Sequence, residues 1–120
     1  SSNDVIQYLT HHLRDKNRES FLIIYLNGQN QIIEIEQLFE GTLASSAVSS
    51  REVIKKVLEM DAASIILVHN HPPGNPNPSK EDQNITKKLK NACNTIDVTV
   101  HDHIIIAGNQ HTSFIERGLI

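Results

Sequence analysis

Tryptophan is absent from this 120-residue chain, and cysteine and methionine occur once each. The lone thiol, Cys93, permits no intrachain disulfide, which excludes a disulfide-stapled secreted scaffold and leaves the core to packing. No signal peptide and no apolar run long enough to cross a bilayer are present, so no membrane partner is expected and the cytoplasm is the default location. An excess of positive charge is lacking too. Eleven Lys and Arg against fourteen Asp and Glu leave a formal charge of -3, which gives no basic footprint for nucleic acid. What remains is 38% hydrophobic residues without a biased tract, enough to close one core and too little for two. The chain opens Ser1-Ser2-Asn3 with no Met, as a fragment or a tagged chain would.

The apolar spacing predicts the elements. Val5, Ile6, Leu9 and Leu13 after Asn3-Asp4, read as a cap, predict a helix over 4–16. Phe21 to Leu26 is apolar on both faces, as a central strand is. Asn27-Gly28 with Gln29-Asn30 signals a hairpin into a partner strand over 31–39, part-exposed on one face. A loop over 40–49 offers Ser49 or Ser50 to cap a helix over 50–61, with Val53, Ile54, Val57 and Leu58 on its apolar face. Ser64 to Val68 reads as a buried strand, 80–96 as a helix, 99–107 as a strand and 112–116 as a last short strand. The expected fold class is α/β or α+β, one sheet flanked by helices.

The chemistry concentrates in Val68-His-Asn-His-Pro-Pro-Gly-Asn-Pro-Asn-Pro-Ser-Lys-Glu-Asp82. His69 and His71 stand at i and i+2 where a strand ends, so their side chains leave on one side with Cα atoms about 7 Å apart. Two imidazoles so spaced can meet one ion at about 2.0–2.1 Å. Prolines and Gly74 reverse the chain, and Asp82 follows in the first turn of the next helix. His69, His71 and Asp82 make three protein donors with a fourth position open, the arrangement of a catalytic rather than a structural zinc. Ser79-Lys80-Glu81-Asp82 is equally an ordinary helix start, with Ser79 as N-cap and acids in the first turn.

His-x-His-Pro, then seven residues to Ser79 and two more to Asp82, resembles the JAMM (MPN+) metallopeptidase motif. The flanks narrow this. Ser50-Arg51-Glu52-Val53, His69-Asn70-His71-Pro72-Pro73-Gly74, Pro78 to Asp82, Asp102-His103-Ile104-Ile105 and Ser113 to Leu119 are similar to the C-terminal JAB domain of RadC proteins, from about Arg18 to the end. Pro73 stands where that family usually has Ser, and the helix-hairpin-helix region that precedes the domain in many members has no counterpart here. The resemblance implies a cytidine-deaminase-like (JAB/MPN) three-layer α/β sandwich. It also implies one Zn2+ per chain held by His69, His71 and Asp82, and hydrolysis of an amide or isopeptide bond in a protein or peptide substrate. By the same analogy Glu19, opening the strand 20–26, is the general base, with Glu40 in reserve, and Ser79 donates to the oxyanion. From sequence alone, Glu19 also reads as a solvated strand start and Glu40 as part of a structural loop.

The other histidines have quieter readings. His101 and His103 point to one side of a strand with Asp102 opposite, which offers a second metal pair or, more simply, a buried Asp102–His103 pair supporting the sheet. His11-His12 reads as solvated, Cys93 as a small hydrophobe, and Lys87, Lys88 and Lys90 as a wet helix face. Three functions stay open: a zinc hydrolase, a protein-binding module on the same fold, and a DNA repair accessory domain as the RadC name suggests. The intact donor set favours the first. Neither substrate nor oligomeric state is legible.

Overall fold

In the computed structural model, residues 2–14, 18–72 and 74–120 are described. Asp15 and Lys16, the expected end of the first helix, and Pro73 of the proline loop lie outside them. The chain runs α1 (Ser2–Leu13), β1 (Ser20–Leu26), β2 (Ile32–Glu40), a short 3-10 turn (Ser45–Ala47), α2 (Ser50–Glu59), β3 (Ser64–Asn70), α3 (Lys80–Asn94), β4 (Thr99–Ala107) and β5 (Gln110–Ser113). The five strands form one mixed sheet in the order β2-β1-β3-β4-β5. Only β3 and β4 pair in parallel, and α3 is the crossover such a pair requires. The pairs β1·β2, β1·β3 and β4·β5 are antiparallel.

Strand alternation sends two sets of side chains to opposite faces. Phe21, Ile23, Tyr25, Ile65 and Leu67 pack with Val53 and Val57 of α2 and with Ile85, Leu89 and Cys93 of α3. Ile24, Leu26, Val68, Ile104 and Ile106 pack with Leu9 and Leu13 of α1. The result is three layers, α1 on one face of the sheet and α2 with α3 on the other. This is the expected α/β sandwich, and β1 is interior to the sheet, as its two apolar faces predict. Tyr25, fully buried, donates its hydroxyl to Glu36 Oε1 at 2.8 Å, and burial pushes its phenol above the usual range.

Several boundaries differ from the periodicity, each for a local reason. Helix α1 begins at Ser2, so Asn3 and Asp4 lie inside its first turn, where the helix dipole favours Asp4. Strand β2 is a sheet edge with Ile32 46% and Ile33 42% exposed, so both faces are part-open rather than one. Strand β3 outruns its apolar core by two residues because His69 and Asn70 still pair with Ile105 and Ile106 of β4. Ser49, not Ser50, caps α2 by accepting from the Glu52 amide. Helix α3 stops at Asn94, where Thr95 caps it and Asp97 turns left-handed at φ 58. The last strand is 110–113 rather than 112–116, because residues 114–118 turn back under Asp102. That carboxylate accepts from Ser113 Oγ at 2.6 Å and from the Ile115 amide at 3.0 Å.

Leu67→Ala removes a fully buried side chain between the sheet and its helices, and a loss of about 2–5 kcal/mol is expected in urea denaturation. Ile32→Ala, on the open edge, should change stability by no more than about 0.5 kcal/mol. Equal losses for the two would refute this assignment of the core.

Candidate metal centre

The site is assembled at one edge of the sheet by strand direction. Because β1 runs antiparallel to β3, the start of β1 lies beside the end of β3, with Phe21 opposite His69. Glu19 therefore arrives next to a histidine fifty positions away. His71 lies just past β3, its amide still bonded to the Ile106 carbonyl at 2.7 Å. Helix α3 starts at the same edge, so its first turn faces both imidazoles. Glu19, His69 and His71 bring one donor atom each within 4.8 Å of one another.

Asp82 is fully buried, and both of its oxygens are engaged. Oδ1 lies 2.6 Å from His69 Nδ1 and Oδ2 lies 2.8 Å from His71 Nε2. Oδ2 also accepts from the Ser79 amide at 2.8 Å and the Ser79 hydroxyl at 2.9 Å, while Ser79 Oγ accepts from the Asp82 amide. Ser79 and Asp82 thus form a capping box, and the helix start read from Ser79-Lys80-Glu81-Asp82 is real. Burial alone would raise the Asp82 pKa, but hydrogen bonds from His69 and His71 hold it well below the usual carboxylate range.

Proton bookkeeping tests whether these groups suit a cation. Asp82 Oδ1 only accepts, so His69 Nδ1 carries the hydrogen and Nε2 is the nitrogen that faces outward. That nitrogen is buried, has no hydrogen-bond partner, and lies 3.4 Å from Glu19 Oε1. His71 Nδ1 donates to the Asn75 carbonyl at 3.0 Å, so its Nε2 also meets a carboxylate with either an extra proton or a lone pair. Burial disfavours that extra proton, yet the Asp82 hydrogen bond and charge raise the His71 pKa overall. Imidazole lone pairs facing carboxylates across a buried gap are what a divalent metal satisfies. The residues fit such an ion.

His103 lies beneath this cluster. It is fully buried, stacked on Phe114 at 4.7 Å, with Nδ1 2.6 Å from Thr86 Oγ1. The Thr86 hydroxyl donates to the Asp82 carbonyl, so His103 Nδ1 must donate to Thr86. Its Nε2 is left buried and unpartnered, 4.0 Å from Asp82 Oδ1. The expected Asp102–His103 side-chain pair does not form. Asp102 turns to the C-terminal residues, and a register shift between Ile65/Ile66 and their partners Val100 and Asp102 makes His101 the extra residue. His101 therefore leaves the face of His103 and reaches Asn30 of the hairpin at 3.2 Å. His11 and His12 are exposed, as expected, and Cys93 is buried. Lys88 is not merely wet: its ammonium donates to the Val48 carbonyl at 2.7 Å and fastens the loop before α2.

A cleft of about 590 Å³ opens over the cluster, lined by Glu19, His69, His71, Ser79 and Glu81 with Thr42 and Leu43 on one wall and Asn75, Asn77 and Pro78 on another. Glu40 is exposed at the end of β2, outside both the cleft lining and the donor group. Sequence reasoning missed Thr86, and it missed the reach of His103 toward Asp82. Their only signal is polar residues at positions of apolar periodicity.

A family model described as the RadC-like JAB domain matches residues 1–119. The chain is 47% identical over its full 120 residues to a UPF0758 protein of Pseudoalteromonas translucida strain TAC 125, of which this covers 54%. It is 46% identical over 120 residues to a UPF0758 protein of Pelobacter propionicus, covering 52% of it. To a UPF0758 protein of Aliivibrio fischeri strain MJ11 it is 45% identical over 114 residues, 95% of this chain and 51% of that one. The chain thus spans about half the length of these bacterial relatives. Among the described residues, no helix is long and apolar enough to cross a membrane.

Burial strips solvent from the His103 imidazolium and lowers its pKa from 6.5 to about 3, although Asp82 pulls the other way. The folded value lies below the unfolded one, so the stabilisation is complete above pH 6.5 and is lost as pH falls through that window. Between about pH 6.5 and 4.5, stability of the metal-free protein should therefore drop more steeply than that of His103→Asn, by up to about 1.4 kcal/mol per pH unit. Parallel urea-denaturation profiles for the two proteins would contradict a neutral buried His103.

Proposed function

We propose, for a chain that belongs to the RadC-like JAB domain family, that this domain is a zinc-dependent hydrolase of amide or isopeptide bonds in a protein or peptide substrate. The observation that carries the reading is the buried, unpartnered Nε2 of His69 facing the Glu19 carboxylate beside His71. His69, His71 and Asp82 are the ligands in this reading, one Zn2+ per chain. When bound, the ion supplies Lewis acidity, which polarises a carbonyl and acidifies a water molecule.

The residues of the chain do the rest. Glu19, at the mouth of the cleft and only part-exposed, accepts the proton of the attacking water and returns it to the amine as the C–N bond breaks. Ser79, whose hydroxyl donates to Asp82 in the resting arrangement, turns it to the oxyanion that develops on the attacked carbonyl. Asn75 orients the His71 ring through its carbonyl, leaving Nε2 for the ion. A second assignment has its own support: Glu19, His69 and His71 are the grouped donors, and Asp82 bonds His69 at Nδ1, on the far side of the ring from its unpartnered Nε2. In that version Glu19 is a ligand and Asp82 an orienting carboxylate.

The cleft favours an amide over a phosphodiester. Its described lining includes Glu19 and Glu81 and no lysine or arginine, so a phosphate there would meet two carboxylates and no basic side chain besides the ion. A protein-binding module remains the simpler alternative should turnover fail, and the DNA repair role attached to the RadC name has no support in this cleft.

Protein purified without chelators should carry about one zinc per chain, and His71→Ala should abolish it in metal analysis. Undiminished zinc in that variant would sink the ligand assignment. Glu19→Gln should retain zinc and lose isopeptidase turnover by about 10²–10⁴-fold if Glu19 is the base. Loss of zinc in Glu19→Gln with retention in Asp82→Asn selects the second donor set instead. Salt-dependent DNA binding near 50 mM salt, roughly where phosphate contacts are strong, would revive the DNA reading.

A further inference from the structure

We propose that Asn70, between the two site histidines, is the positioning residue for Glu19. The functional part of this inference rests on the reading above, in which Glu19 serves the metal centre. The β1·β3 ladder ends at the pair Phe21 and His69, one residue short of Ser20 and two short of Glu19. Glu19 thus precedes the strand and has no ladder bond to β3 that would fix where its carboxylate goes. The Asn70 side chain takes over where the ladder stops. Its Oδ1 accepts from the Ser20 amide at 2.6 Å, and its Nδ2 donates to the Arg18 carbonyl at 3.0 Å. The two bonds straddle Glu19, one on each side.

Glu19's own carbonyl is held as well, accepting from the Gly41 amide at 2.8 Å. Gly41 has φ 123, a conformation that L side chains rarely adopt, so the loop after β2 is shaped to present that N–H. Asn70 is 1% exposed, and its bond to the buried Ser20 is shielded from water. An amide is suited to the place because it accepts at one end and donates at the other, and the backbone around Glu19 offers one group of each kind. His69 and His71 project to the donor cluster while Asn70 reaches the backbone of Arg18 and Ser20 at the start of β1. One tripeptide therefore both supplies nitrogens and fixes the carboxylate opposite them.

The test uses the 120-residue protein, with Zn2+ alone as the metal probe. In the metal-free state, Asn70→Ala should speed amide exchange at Ser20 about tenfold. Asn70→Asp keeps an acceptor for Ser20 but has no N–H for Arg18, and it carries the test if the alanine variant does not fold. In the wild type, Zn2+ should shift the Glu19 side-chain carboxylate carbon in NMR. In either variant that shift should fall to the level of exposed Glu40, while the His69 and His71 rings still respond. In a Glu19→Gln background, the Asn70 substitutions should cost no further turnover. An unchanged Glu19 response in both variants overturns the proposal. So does a joint loss of the histidine responses, because Asn70 would then be building the ligand strand rather than placing Glu19. If Zn2+ shifts no histidine in the wild type, the metal reading fails separately. Exchange at Ser20 then decides the tie by itself, unchanged rates refuting it and faster rates supporting it.

Discussion

A carboxylate with no exposed surface, Asp82, is the constraint on which the rest of this molecule turns. Its oxygens meet His69 from β3, His71 beyond β3 and Ser79 at the head of α3, so one group joins a strand end to a helix start. Leaving such a charge buried without partners would cost several kcal/mol, which is why its surroundings are so fully specified. The proline-rich loop between His71 and Ser79 has to be the length that lets the helix return to the strand it left. The helix cap and the candidate metal centre are therefore one piece of architecture. The same Ser79–Asp82 contacts that satisfy the first amides of α3 also place the carboxylate against the imidazoles.

The second organising element is the antiparallel pairing of β1 with β3. It converts a separation of fifty residues between Glu19 and His69 into a distance of 3.4 Å. The α2 crossover carries the chain past β1 so that β3 can pair on the far side, and α3 then links β3 to its parallel neighbour β4. With α1 covering one face and α2 with α3 the other, the sheet is buried except at its edges. The candidate site accordingly lies at the sheet end where β1 begins, β3 stops and α3 starts, a place where polar groups can converge over a packed support.

Local signals were readable wherever a contact is local. The hairpin at Asn27-Gly28, the Ser79 cap and the interior position of β1 follow from turn chemistry, capping and two-sided hydrophobicity, all short-range properties. The misreadings share a different cause. Alternation places His101 beside His103, but it holds only for an uninterrupted ladder, and the shift between Ile65 and Ile66 breaks it. Asp102 looked like a partner for His103, but its carboxylate is taken by Ser113 and the Ile115 amide, which only the fold of the last residues brings near. Strand β3 ran past its apolar stretch because pairing with β1 and β4 held His69 and Asn70 in the sheet.

The spacing from His69 and His71 to Ser79 and Asp82 was determined by the sequence itself, because the donors lie within fourteen consecutive residues joined by one stiff loop. The α/β class was determined the same way, by strand and helix periodicities that alternate along the chain. Tertiary structure decided the rest: that Glu19 rather than Glu40 reaches the histidines, that Asp82 spans both rings, and that Asn70, Thr86 and His103 stand around them. These depend on strand register and on which sheet face a side chain joins, and both are settled only when distant segments bury their apolar surfaces together.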